Sequence, residues 1–236
     1  MRNKMSGTHI QMEITLRCNA KCLSCSRHCH YGMYDGSSDV TYEQVERFCS
    51  EIRLHGKERN VGLISIMGGE PTLHPDLHRI TTLIARLHDE GHTRLAQIVT
   101  NGKISPPSVP GVMICTVEED ADIRYENHRC QFVSPFDTGQ VTRECPIIEQ
   151  CGVSWGAYGW WPCGAGGAIC RLMGLEQFRS DTMPERLLDQ SEALPFCIHC
   201  QCKASRFMYC RNHGDIRSVS FRKAIDVFDA KKLWRY

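Results

Sequence analysis

The sequence predicts an α/β fold in which a partial (β/α) barrel is followed by a small cysteine-rich domain built of a hairpin and a helix. Three observations carry that expectation. Strand-like apolar runs alternate with amphipathic helical runs through the first half of the chain, the order that builds parallel sheets. Each of the first three strand-like runs ends in a cysteine, glycine or polar motif, and the carboxyl ends of parallel strands are where such folds bind ligands. From about residue 139 the composition shifts to glycine, tryptophan and cysteine, which sets a boundary between residues 1–138 and 139–236.

The first strand is read within Gly7–Arg17, where Ile10, Met12, Ile14 and Leu16 alternate onto one face. Thr41-Tyr-Glu-Gln44 is a capping box, and Val45, Phe48, Cys49 and Ile52 then keep helical spacing up to Gly56. Val61–Met67 is a continuous apolar run, as in a parallel strand buried on both faces. Pro75 opens a second helix presenting Leu77, Ile80, Leu83, Ile84 and Leu87, with Gly91 past its end. Leu95–Val99 is a third strand and Val112–Val117 a fourth, separated by a proline-interrupted segment that holds no helix. Glu118–Asp122 reads as a solvated loop and Gln131–Ser134 as a fifth strand. Beyond the boundary, Gln150–Trp155 and Trp160–Cys163 form a hairpin around Gly156-Ala-Tyr-Gly159. A glycine-rich loop precedes Cys170, and helices are placed at Pro184–Ser191 and Phe221–Leu233.

Composition narrows the function. The 236 residues are 42% apolar, enough for a sizeable core, and the net charge is +1 with no Lys/Arg-rich run, so nothing favours duplex nucleic acid. No apolar stretch approaches the ~18 residues of a membrane span and no signal-peptide pattern opens the sequence, so a soluble cytoplasmic protein is expected. Fifteen cysteines, an odd number, suit metal ligation in an oxygen-poor cytoplasm better than a disulfide scaffold.

Cys18, Cys22 and Cys25 follow the first strand directly. Their spacing lets three thiolates converge on one iron-sulfur cluster and leaves one iron with an open coordination position. Two other readings stand beside this one. On a helix the i, i+4, i+7 spacing makes a buried face, and paired thiolates also hold zinc.

Taken with Gly68-Gly-Glu-Pro71 after the second strand and Thr100-Asn-Gly102 after the third, these cysteines resemble the radical S-adenosylmethionine (SAM) superfamily. Its signature is C-x3-C-x2-C after the first strand and GGEP or a near variant after the second. The resemblance covers about residues 8–135. It implies a shortened radical SAM core with a 4Fe-4S cluster on Cys18, Cys22 and Cys25, whose open iron is chelated by the amino and carboxylate groups of S-adenosylmethionine. It further implies that Gly68, Gly69, Glu70 and Pro71 lie against the methionyl amino group, through backbone carbonyls or the Glu70 carboxylate. Thr100 and Asn101 would border the cofactor's other side. The implied reaction is reductive cleavage to a 5'-deoxyadenosyl radical that takes a hydrogen atom from substrate. Leu23 departs from the pattern, since an aromatic residue commonly follows the middle cysteine.

The second domain resembles the twitch or shortened SPASM extensions of the same superfamily. That implies one auxiliary 4Fe-4S cluster on Cys145, Cys163, Cys197 and Cys200, with Cys151 and Cys202 as alternative ligands; zinc at such a tetrad is the other reading. The implied function is oxidation or rearrangement of a small molecule (sugar, cyclitol or nucleotide-like) by a dehydrogenase-type oxidoreductase or radical isomerase, served by a flavodoxin- or ferredoxin-type electron donor. Two alternatives are carried: a radical SAM enzyme that modifies a peptide substrate, and a non-catalytic zinc-binding interaction module. No general base stands out. Trp155, Tyr158, Trp160 and Trp161 are read as the small domain's own core, and Arg27 as a surface residue or donor contact. His28 and His30 are read as solvated, His74 as a turn residue, and Cys29, Cys49, Cys115, Cys130 and Cys170 as packing residues.

Overall fold

A computed structural model describes residues 7–20, 27, 29, 38–116, 148, 151–164, 166–185 and 194–199. Strands β1 (Thr8–Thr15), β2 (Val61–Gly68), β3 (Leu95–Thr100) and β4 (Val112–Thr116) are parallel neighbours. The hairpin strands β5 (Val153–Gly156) and β6 (Gly159–Trp161) complete a six-stranded sheet in the order β4-β3-β2-β1-β5-β6. Sequential parallel strands, with helices α1 (Tyr42–His55) and α2 (Leu77–Asp89) between the first three, give the connectivity of a (β/α) barrel opened along one side.

The helices start where their sequences say. At α1 the Gln44 N–H donates to Thr41 Oγ1 (3.2 Å) and the Thr41 N–H donates to Gln44 Oε1 (2.7 Å), so both halves of the capping box form. Val45, Phe48, Cys49 and Ile52 of α1 and Leu77, Ile80, Ile84 and Leu87 of α2 pack with Ile10, Met12, Ile14, Ile64, Ile66, Ala96 and Ile98 in one core. Each large apolar side chain taken fully out of water contributes about 1.5–3 kcal/mol, set against the entropy lost in ordering it.

The hairpin forms where expected, closed by Gly159 at φ +98°. Its placement is a finding. Ile10–Glu13 of β1 pair in parallel with Val153–Gly156, so β5 supplies the partner that β1's second edge needs. Trp155 and Trp160, expected in a separate small core, therefore lie on Phe48 of α1 at ring-centroid distances of 4.7 and 5.4 Å. Trp160 Nε1 also donates to Glu51 at 2.9 Å. Trp161 belongs to a second cluster with Cys151, Cys163, Ile169, Cys170, Phe196 and Cys197, and Tyr158 packs against it.

Two further differences concern local structure. The glycine-rich stretch before Cys170 is helix α3 (Gly166–Met173) rather than a loop. A Cβ on Gly167 would stand 2.9 Å from the Trp161 ring, and one on Gly166 would stand 3.1 Å from Cys163 Sγ. These glycines mark close packing, not a turn. Cys115, read as a packing residue, is exposed on β4. The expected strand at 131–134, the helix at 221–233, most of the helix at 184–191 and the acidic stretch at 118–122 lie outside the described residues. Among the described residues no helix is long and apolar enough to cross a membrane.

Candidate functional site

The carboxyl ends of β1, β2 and β3 meet on one rim. Pairing between the first two continues past the strands, since the Gly69 N–H donates to the Thr15 carbonyl and the Glu70 N–H to the Arg17 carbonyl, both at 2.8 Å. The chains are so close there that a Cβ on Gly69 would stand 2.2 Å from the Arg17 oxygen. One on Gly68, at φ +151°, would stand 2.0 Å from the Thr15 oxygen. Glycine is required at both positions by the fold itself, before any ligand makes its own demand.

Glu70 is fully buried. Its Oε1 accepts from the Thr72 N–H (3.1 Å), Thr72 Oγ1 (2.7 Å) and Thr100 Oγ1 (2.7 Å), and its Oε2 accepts from the Asn101 N–H (2.8 Å). Three donors share Oε1 and one meets Oε2. Glu70 thus stitches the turn after β2 to the turn after β3.

The third loop is tied in through Asn101, whose Nδ2 donates to Asn19 Oδ1 at 2.8 Å, with Lys103 Nζ 3.5 Å from the Asn19 carbonyl. Asn19 adjoins Cys18, which is half-buried and whose Sγ accepts the Ala20 N–H at 3.4 Å. Beneath the rim Arg17 donates to both oxygens of Asp39 (3.2 and 2.6 Å) and to the Leu73 carbonyl (2.6 Å). Thr15 Oγ1 donates to the same Asp39 at 2.5 Å. His74 does shape the turn. Its Nδ1 accepts the Asp76 N–H at 3.1 Å and its Nε2 meets the Val40 carbonyl at 3.0 Å. Burial holds the imidazole below its ordinary pKa and outweighs the bond to Val40, which acts the other way.

Cys163 and Cys197 are buried in the second cluster, and each sulfur accepts a backbone N–H, from Gly166 (3.1 Å) and Leu194 (3.3 Å) respectively. Such donors are among the groups that tune iron-sulfur sites. Cys18, Cys163 and Cys197 thus each present a sulfur that accepts a backbone N–H. Burial pushes the thiol of Cys49, under α1, up to about 12, as in an inert packing residue. Cys170 is pushed to about 12 by the same cause, against the pull of the neighbouring Arg171. Cys22, Cys25, Cys145 and Cys200 lie outside the described residues, and among the described residues no three Cys, His, Asp or Glu side chains converge on one metal position.

Arg27 was read as a surface residue, and it is buried. Its Nη1 lies 2.9 Å from Glu13 Oε1 and donates to the Gly164 carbonyl, while Nη2 donates to Gln11 Oε1. Arg171 Nη2 stands 3.0 Å from the other Glu13 oxygen. Gln11 and Glu13 occupy the polar positions of an alternating strand, a pattern that reads as a solvated face. Because β1 is central in the sheet and covered on both sides, they are buried instead.

No family model matches the chain. Over 95 residues, 40% of this chain and 28% of the relative, it is 28% identical to a protein described as a probable GTP 3',8-cyclase from Methanothermobacter thermautotrophicus, a radical SAM protein. The chain thus spans less than a third of the length of that relative. Among solved structures, Streptococcus suis SuiB bound to precursor peptide SuiA superposes on 51% of this chain and 27% of SuiB, with TM-score 0.36 and 16% identity, too partial an overlap to argue from. The described rim thus brings together Cys18, a GGEP turn and a Thr-Asn-Gly turn at the carboxyl ends of three parallel strands. Cys18 and the GGEP and Thr-Asn-Gly turns on one rim are the arrangement that the radical SAM resemblance implies, and the partial match to the cyclase agrees with it.

Proposed function

We propose that the chain oxidises or rearranges a small molecule of the sugar, cyclitol or nucleotide-like class, with an auxiliary 4Fe-4S cluster on Cys145, Cys163, Cys197 and Cys200. The observation that carries the reading is the stitched rim, where Glu70 and Asn101 lock three motif loops together beside Cys18. Bound S-adenosylmethionine and the cluster on Cys18, Cys22 and Cys25 supply the one-electron, hydrogen-abstracting chemistry.

The chain's own residues orient the reactants. Glu70 holds the two turns in register, and the backbone carbonyls of Gly68–Pro71 or the Glu70 carboxylate would accept from the methionyl ammonium. The bare backbone at Gly68 and Gly69 allows that close approach. Thr100 and Asn101 fix the loop on the cofactor's other side, so little reorganisation is left for the moment of reaction. The match to a probable GTP 3',8-cyclase supports the nucleotide-like member of the class. Cytoplasmic surroundings and a flavodoxin- or ferredoxin-type donor complete the reading.

Replacing Cys18, Cys22 and Cys25 together by alanine tests the auxiliary site. Retention of about four irons per chain supports it, and loss of all iron removes it. S-adenosylmethionine regenerated at each turnover indicates rearrangement, and stoichiometric consumption indicates oxidation.

A further inference from the structure

Glu13 lies near the carboxyl end of β1, 2% exposed, with one carboxylate oxygen 2.9 Å from Arg27 Nη1 and the other 3.0 Å from Arg171 Nη2. Both arginines are buried, at 6% and 5% exposure. They come from distant parts of the chain: Arg27 stands two residues past Cys25, and Arg171 follows Cys170 on α3. Arg27 also donates to the carbonyl of Gly164, the residue after Cys163, and to Gln11 of β1. Its Nη2 lies 3.4 Å from Met67 Sδ, beside Gly68. One guanidinium therefore touches β1, β2 and the segment that carries the second group of cysteines.

Burying these charges needs a reason. Apolar side chains of similar volume usually stabilise a core at least as well as a buried ion triad, so the charges are weak candidates for a purely stabilising role. What they add is direction. A guanidinium sends its donors along fixed lines in one plane and holds several partners at set angles, which a lysine ammonium does not. The partners held are the strand that feeds the Cys18 loop, the strand that feeds the GGEP turn, and the residue next to Cys163.

The geometry points to Glu13, Arg27 and Arg171 as a buried clasp: positioning residues that hold Gly164, next to Cys163, and the helix bearing Arg171 to β1, the strand that feeds Cys18. The clasp rests on the radical SAM reading for what the Cys18 loop holds, but it is itself a property of the polypeptide, and its test needs no metal.

In the full chain before iron reconstitution, alkylation of Cys18, Cys22 and Cys25 is followed by mass spectrometry, with buried Cys49 as the internal reference. Arg171→Met should speed labelling of the loop cysteines by about tenfold while Cys49 stays protected, and Arg171→Lys should fall between it and the wild type. Wild-type labelling rates in a folded Arg171→Met protein overturn the clasp. Should Cys49 also become labelled, the decisive variant is the triple replacement Glu13→Leu, Arg27→Met and Arg171→Leu, which removes every charge of the clasp while keeping the core apolar. Fast loop labelling with Cys49 protected supports the clasp there, and slow loop labelling refutes it. After reconstitution, Arg171→Met should also shift the midpoint potential of the cluster whose electron paramagnetic resonance signal responds to S-adenosylmethionine, a change that lowered stability alone does not produce. If the wild-type chain takes up no iron at all, the cluster reading fails, while the labelling contrast still decides the clasp.

Discussion

Glu70→Gln separates two roles for the GGEP glutamate. In the structure the carboxylate accepts two backbone N–H groups on different oxygens, Thr72 on Oε1 and Asn101 on Oε2. A glutamine places an NH2 where one oxygen was, so in either amide orientation one of those N–H donors faces another donor. The two threonine hydroxyls can rotate, but a backbone N–H cannot. The loss is one charge-assisted hydrogen bond together with one buried donor left unsatisfied, about 2–4 kcal/mol in all at a site with no solvent to compensate. Urea unfolding of the metal-free chain should show the midpoint falling by that amount at constant slope. If Glu70 instead served mainly to receive the ligand's ammonium, the variant would unfold at the wild-type midpoint and lose only affinity for S-adenosylmethionine. That second pattern would refute the stitching role.

The remaining predictions concern the core and the turn beneath the rim. Trp160→Ala removes a fully buried ring stacked on Phe48 and should cost about 3–5 kcal/mol, lowering one cooperative transition reported alike by circular dichroism and fluorescence. A change confined to the hairpin's own fluorescence would contradict its integration into the sheet. His74, near Asp39, Asp76 and Arg17, is held below its ordinary pKa of 6.5 by burial. Its contribution to stability is therefore complete above 6.5 and is lost as pH falls through the depressed value, because the unfolded chain takes up the proton first. Between about pH 7 and pH 5 the wild type should lose more stability in urea than His74→Gln, and parallel curves would show that this imidazole is not the titrating group.

What could be read in the sequence was what local patterns encode. The capping box at Thr41 and Gln44, the apolar faces of α1 and α2, and the turns ending β2 and β3 all depend on residues a few positions apart, and each lies where its pattern placed it. The missed features depend on contacts between distant residues. The pairing of β5 with β1 joins Ile10 to Val153, and the Arg27 bond to Gly164 crosses 137 positions. The burial of Gln11 and Glu13 was not legible because alternation shows which side chains share a face and not whether that face is covered. Gly166 and Gly167 looked like a loop because the same absence of a side chain serves a turn and a close helix contact equally well. Glu70 was recognised as important, but which groups its oxygens meet depended on Thr100 and Asn101, thirty and thirty-one residues away.

Radical SAM chemistry is tested most directly by anaerobic reconstitution with iron and sulfide, reduction, and addition of S-adenosylmethionine, with 5'-deoxyadenosine as the product measured. The wild-type chain should form it and Cys18→Ala should not. A colourless protein that holds zinc and yields no 5'-deoxyadenosine contradicts the proposed reaction.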